Sequence, residues 1–131
     1  MIDSAVISAL DKSWGSNYPV FKNSNFELHH ASIEEGGYSS CHCHQHKYNL
    51  FYVICGKLFI HFYSSEDKAN HNSIAHTVML EPGERLIVPP KVWHRFQTVE
   101  HSGVVDLIEA YWTSTVDPDD ITRKDVGGIS E

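Results

Sequence analysis

No stretch of roughly 18 consecutive apolar residues occurs in the chain, so none reads as a membrane-crossing helix. Basic charge is also scarce. Lys and Arg number 10 against 17 Asp and Glu, a net charge of -7, and no basic run is present. That balance argues against nucleic-acid binding and against docking on anionic membranes. Cysteine is sparse and odd in number, at Cys41, Cys43 and Cys55. Cys41 and Cys43 stand too close for an ordinary disulfide, and no second Cys or His pair has zinc-finger spacing. The opening MIDSAVISAL carries an acid where a secretory leader carries Lys or Arg. Reduced thiols in a cytoplasmic protein are therefore the expectation. Internal repeats and low-complexity tracts are missing too.

What is there reads as one β-rich domain. At 131 residues the chain can bury roughly two thirds of its unfolded surface. Short apolar or alternating runs recur at 18–22, 26–33, 38–44, 49–55, 58–63, 74–80, 85–88, 94–99 and 104–112, with Gly, Pro, Asn and Asp turns between them. They predict an all-β, single-domain jelly-roll β-barrel over residues 14–112. Residues 1–13, apolar at Ile2, Val6, Ile7 and Leu10, are expected to form a short arm or helix. Residues 64–72 read as a polar surface loop. In the tail, 113–131, Asp117 would cap a short helix with Pro118 at its first position, ending before Gly127-Gly128.

Histidine is abundant, with 10 residues, and is clustered. His42, His44 and His46 fall within five positions. On a strand over 38–44, His42 and His44 share a face with Tyr38, while Cys41 and Cys43 take the other as small packing residues. The run from Leu50 to Cys55 then predicts a buried partner strand, the two forming a central hairpin. His94 follows Pro89-Pro90 far along the chain and opens another strand. Three imidazoles from separate places suit a divalent transition metal (Zn, Fe, Mn or Ni) better than Mg or Ca. The histidines at 29, 30, 61, 71, 76 and 101 are expected to be structural.

These intervals resemble the two signature motifs of the cupin family. Gly36, His42, His44, Asn49 and Gly56 keep the spacing of the first, and Gly83, Pro89, Lys91, His94 and Thr98 that of the second. The resemblance implies a barrel holding a metal through His42, His44 and His94. Asn49 takes the place of the family's Glu ligand. Its amide oxygen can coordinate but brings no charge, which implies weaker binding. Lys91 replaces a turn glycine and Thr98 an Asn. The flanks are similar to the cupin domain of type II phosphomannose isomerases: Ser13-Trp14-Gly15-Ser16, His44-Gln45-His46-Lys47, His94-Arg95-Phe96, Leu107-Ile108-Glu109-Ala110 and Asp119-Asp120-Ile121-Thr122-Arg123.

That likeness implies a mannose-6-phosphate isomerase-like aldose–ketose isomerase acting on a small sugar phosphate. Glu109 is the expected catalytic base and His46 the second candidate. Lys47 and Arg123 would hold a phosphate, with Tyr38 as a further substrate contact. Two alternatives stay open: a binding or sensor module for a sugar phosphate or nucleotide sugar, and an Fe(II)-dependent oxygenase. Leu50, Tyr52 and Ile54 make the outward face of their strand apolar, so a homodimer is expected.

Overall fold

The computed structural model describes residues 9–101, 103–113, 119–120 and 126–130. Two antiparallel sheets face each other. The larger contains β1 (Leu10–Lys12), β2 (Gly15–Lys22), β3 (Phe26–Ile33), β4 (Tyr48–Cys55), β7 (Arg85–Val88) and β9 (Val105–Trp112), in the order β1-β2-β3-β9-β4-β7. The smaller contains β5 (Leu58–Tyr63), β6 (His76–Leu80) and β8 (Trp93–Thr98), in the order β6-β5-β8. This is the jelly-roll expected from the alternating runs.

The two inner faces enclose a core of Ile33, Phe51, Val53, Leu58, Ile60, Val88, Phe96, Val105 and Leu107. Each such side chain, fully buried, contributes roughly 1.5–3 kcal/mol. Residues two apart on a strand share a face, so the core reads straight off the sequence as Phe51 and Val53 on β4 or Val105 and Leu107 on β9. The cross-strand register arranges these residues in rows. Ile33 pairs with Val105, Ala31 with Leu107, His29 with Glu109 and Glu27 with Tyr111; on the other side of β9, Val53 faces Leu107, Phe51 faces Glu109 and Asn49 faces Tyr111. The filling therefore passes from hydrocarbon at one end of the barrel to polar groups at the other.

Gly15 is required where β2 starts. A Cβ there would lie 2.0 Å from the Ser32 carbonyl oxygen. Pro19 is tolerated within β2 because the pairing shifts between Pro19 and Phe21.

Three expectations need correction. Residues 38–44 form no continuous strand, and no hairpin with β4 exists. The segment instead borders β8 through isolated bridges, Tyr38 with Gln97 and His42 with His94, while β4 pairs with β7 and β9. Between the two bridges the Phe96 amide donates to the Ser39 hydroxyl at 3.0 Å, not to a backbone carbonyl, which breaks the ladder, but His42 and His44 still converge on one site. Second, the loop at 64–72 contains a helical turn, α1 (Glu66–Asn70). Ser65 caps it by accepting from the Lys68 amide at 3.2 Å, and Ala69 is buried. Third, Leu10–Lys12 is a strand paired with β2, not part of a helix; the rest of the expected arm, residues 1–8, lies outside the described residues. The expected tail helix falls mostly on 114–118 and 121–125, which also lie outside them.

Candidate metal centre

Backbone geometry explains why the three imidazoles meet. The His42 amide donates to the His94 carbonyl at 3.0 Å and the His94 amide to the His42 carbonyl at 2.9 Å. Lys91 N donates to the His44 carbonyl at 2.6 Å. The turn after Pro89-Pro90 places Lys91 at φ 69°, the left-handed region where the cupin motif has glycine. Thr98, at the other motif substitution, is structural: its hydroxyl accepts from Gly36 N at 2.9 Å.

The rings of His42 and His94 lie 4.5 Å apart between centroids, those of His42 and His44 5.1 Å. One ring nitrogen from each of His42, His44 and His94 lies within 4.8 Å of the other two. Three donors on bonds of roughly 2.1 Å around one ion stand about 3.4 Å apart in a tetrahedron, so the triad has to draw in by up to about 1.4 Å to share an ion.

The donor chemistry fits a cation. His42 Nδ1–H donates to the Ser40 carbonyl at 3.0 Å, leaving the Nε2 lone pair free. His44 Nε2 is buried and has no hydrogen-bond partner among the described residues. His94 is 1% exposed, with Nδ1 2.9 Å from the Val92 carbonyl and Nε2 3.0 Å from Asn49 Oδ1. Both neighbours are acceptors, and a neutral imidazole carries one proton. Either tautomer leaves a lone pair facing an oxygen. An imidazolium would satisfy both, but burial pushes the His94 pKa down to about 4. A metal ion held by both Nε2 and Oδ1 would remove the conflict, since the two lone pairs would then face a cation. Burial also lowers the pKa of His42 and His44, so all three rings tend toward the neutral, ligating form.

Around the triad, Glu109 projects from the inner face of β9 and accepts a hydrogen bond from Tyr111 Oη. Burial raises its pKa to about 7, against the opposing pull of the Tyr111 hydroxyl and the nearby Asn49 amide. It lines a cleft of about 190 Å³ with Trp14, Ser40, His42 and Tyr111. Tyr111 stands 5.1 Å from the His44 ring and also borders a second cleft, of about 180 Å³, with Lys22, Glu27, Lys47 and Trp112. Lys47 Nζ lies 3.9 Å from Glu27 and 5.8 Å from the centre of the Tyr111 ring.

The structure thus gathers His42, His44, His94, Asn49 and Glu109, with Lys47 at the rim. His46 is exposed on the loop before β4. Tyr38 is 57% exposed and lies under the Arg95 guanidinium, 5.3 Å from its ring centre. Arg95 alternates with His94 on β8, so this pair sits away from the triad. Arg123 lies outside the described residues. Sequence reasoning missed Tyr111. The available signal was its position two residues past Glu109, which puts it on the same face. It also missed His29, which accepts from Asn17 Nδ2 and donates to Glu27, both at 3.1 Å, and so extends the polar end of the barrel.

The sequence profile of the cupin domain matches residues 29–111, more than half of the chain. The chain belongs to the cupin family. Solved cupin structures agree in fold. KdgF from Halomonas sp. is 14% identical with a TM-score of 0.66, over 83% of this chain and 88% of that one. The Cnp3 cupin domain of Schizosaccharomyces pombe is 15% identical with a TM-score of 0.67, over 82% and 69%. An oxalate oxidase is 17% identical with a TM-score of 0.55, this chain spanning 42% of its length. A search of curated proteins found no match. At these identities the neighbours establish the architecture, and activity has to be argued from the site.

Proposed function

We propose that this cupin is a metal-dependent enzyme acting on a small sugar-like carbonyl compound, as an aldose–ketose isomerase of the mannose-6-phosphate isomerase kind. The observation that carries the reading is a histidine triad close enough to share an ion, one member of which, His42, lines the same cleft as Glu109, a carboxylate of raised pKa. A bound dication supplies Lewis-acid polarisation of a carbonyl and its neighbouring hydroxyl. Glu109, with a pKa of about 7, is matched to taking a proton from the carbon beside that carbonyl and returning it to the next. Tyr111 holds the carboxylate in place. Lys47 offers a cation at the rim for a phosphate, and Arg123, outside the described residues, is the second candidate. His46, exposed beside Lys47, is the reserve acid–base group, while nothing around Tyr38 supports a substrate contact. The small-molecule partner is a sugar phosphate in this reading, and the apolar outer face of β4 (Tyr52 at 39% and Ile54 at 48% exposure) is a homodimer contact, testable by light scattering.

The test is a coupled assay converting mannose-6-phosphate to fructose-6-phosphate, on protein loaded in turn with Zn(II), Mn(II), Fe(II) and Ni(II). Turnover that disappears in Glu109→Gln supports the reading. One observation favours a second reading: the family's acidic ligand is replaced by Asn49, wholly buried. A cupin that retains the cavity without turnover serves as a sugar-phosphate or nucleotide-sugar binding module. Thermal shifts on ligand addition without product formation would select it. Oxygen uptake with Fe(II) would instead select oxygenase chemistry.

A further inference from the structure

We infer that Lys22 and Lys47 form an anion subsite in the second cleft, which takes the phosphate of a sugar phosphate whose carbonyl end lies at the histidine triad. The inference deepens the proposed function, on which it rests, and names Lys22 of β2 as the second cation. Strand register carries it. Lys22 pairs with Glu27, Glu27 with Tyr111, and Tyr111 with Asn49, across β2, β3, β9 and β4. Directly paired residues share a face of a sheet, so the four side chains form one row across the mouth of the barrel. At one end of the row Asn49 Oδ1 lies 3.0 Å from His94 Nε2. At the other stand two ammonium groups, Lys22 Nζ 3.6 Å and Lys47 Nζ 3.9 Å from the same oxygen, Glu27 Oε1. Two strand spacings, roughly 10 Å, separate Glu27 from Asn49 along the row.

Two ammonium groups against one carboxylate leave a surplus of positive charge, in a chain whose net charge is -7. At 3.6 and 3.9 Å neither ammonium group is hydrogen-bonded to Glu27, so their N–H donors stay available to the oxygens of an anion. Glu27 itself is fixed from behind. His29 Nε2 donates to Glu27 Oε2 at 3.1 Å, and His29 Nδ1 accepts from Asn17 Nδ2, also at 3.1 Å. One wall of the cleft is a closed turn: Asn23 Oδ1 accepts from the Asn25 and Phe26 amides, both at 2.8 Å, and Thr113 N donates to the Asn25 carbonyl at 3.1 Å. Size points the same way. The cleft beside the triad measures about 190 Å³ and the one beside the lysines about 180 Å³, each below the roughly 300 Å³ at which small-molecule pockets begin. Tyr111 lines both. A ligand lying across Tyr111 fills the two together, with its carbonyl and neighbouring hydroxyl toward the triad and its phosphate toward Lys22 and Lys47.

The probe is inorganic phosphate, titrated into the full chain with a chelator present so that no metal competes for it, and followed through backbone amide NMR shifts. Saturable shifts are expected at Asn25, Phe26 and Thr113, which line the cleft. Affinity should fall roughly 3- to 10-fold in Lys22→Gln and in Lys47→Gln, two positions outside the hydrophobic core. It should be unchanged in Lys57→Gln, whose lysine pairs with Glu81 and does not line the cleft. Absence of a saturable shift, or a Lys22→Gln protein that binds phosphate like wild type, overturns the subsite. Turnover is read separately, on the metal-loaded chain. If mannose-6-phosphate is converted, Lys22→Gln is expected to raise KM with little change in kcat; an unchanged KM overturns the subsite and leaves the isomerase reading standing. Phosphate held through Lys22 without any turnover supports the subsite and overturns the isomerase reading in favour of the binding module.

Discussion

Replacing Glu109 with Gln should change how the metal-free protein responds to pH. In the folded chain Glu109 holds its proton up to about pH 7, against an ordinary value of 4.5. Below pH 4.5 the carboxyl is protonated whether the chain is folded or not, and it costs nothing. Between pH 4.5 and 7 the unfolded chain releases the proton while the folded chain keeps it, so stability falls as the pH rises. Above pH 7 both states are ionised and the loss is complete. A rise from 4.5 to about 7, at 1.36 kcal/mol per pH unit, corresponds to about 3 kcal/mol, which solvent entering through the cleft reduces to about 2 kcal/mol. Glu109→Gln removes the liability and keeps an oxygen for Tyr111. His94, neutral down to about pH 4, destabilises the fold as the pH drops below 6.5, but it is present in both proteins and cancels in their difference. Urea unfolding with a chelator, from pH 4.5 to 8, should show the variant gaining about 2 kcal/mol on wild type across that window. Parallel curves for the two proteins would refute the placement of an ionisable carboxyl in a shielded site.

Other perturbations have definite outcomes. His44→Ala should abolish tight metal binding yet shift apo stability by less than about 1 kcal/mol, because its Nε2 is buried without a partner among the described residues; chelator competition and thermal melting read the two effects separately. Lys91→Gly should raise stability by about 0.5 kcal/mol, since a side chain at φ 69° costs about 1 kcal/mol and the looser unfolded chain returns part of it. A lower melting temperature would refute that account. Phe51→Ala, at a fully buried position contacting the His94 and Phe96 rings, should cost about 3–5 kcal/mol in denaturant unfolding.

The fold was legible because its strands alternate cleanly, and nearly every strand expected from the apolar runs is present within two or three residues. The failure at 38–44 has a physical source. Alternation fixes which side a residue faces but says nothing about which neighbour supplies hydrogen bonds, and β8, not β4, supplies them here. The turn at Glu66–Asn70 was hidden by its polarity, although Ser65 followed by Glu66 and Asp67 is a helix-start signal. At the site, the triad could be read from motif spacing, whereas the nearness of Glu109 to Asn49 depends on strand order. Glu109 and Asn49 are 60 positions apart in sequence, and only the insertion of β9 between β3 and β4 makes them adjacent.

The graded filling of the barrel has a practical consequence for anyone redesigning it. Because oily and polar rows occupy opposite ends of the same strands, reactivity can be rewritten at Glu27, His29, Asn49 and Glu109 while Ala31, Val53, Val105 and Leu107 keep the scaffold closed. Directed libraries confined to the upper rows should therefore lose few members to misfolding, and the same randomisation one row lower should lose most of them.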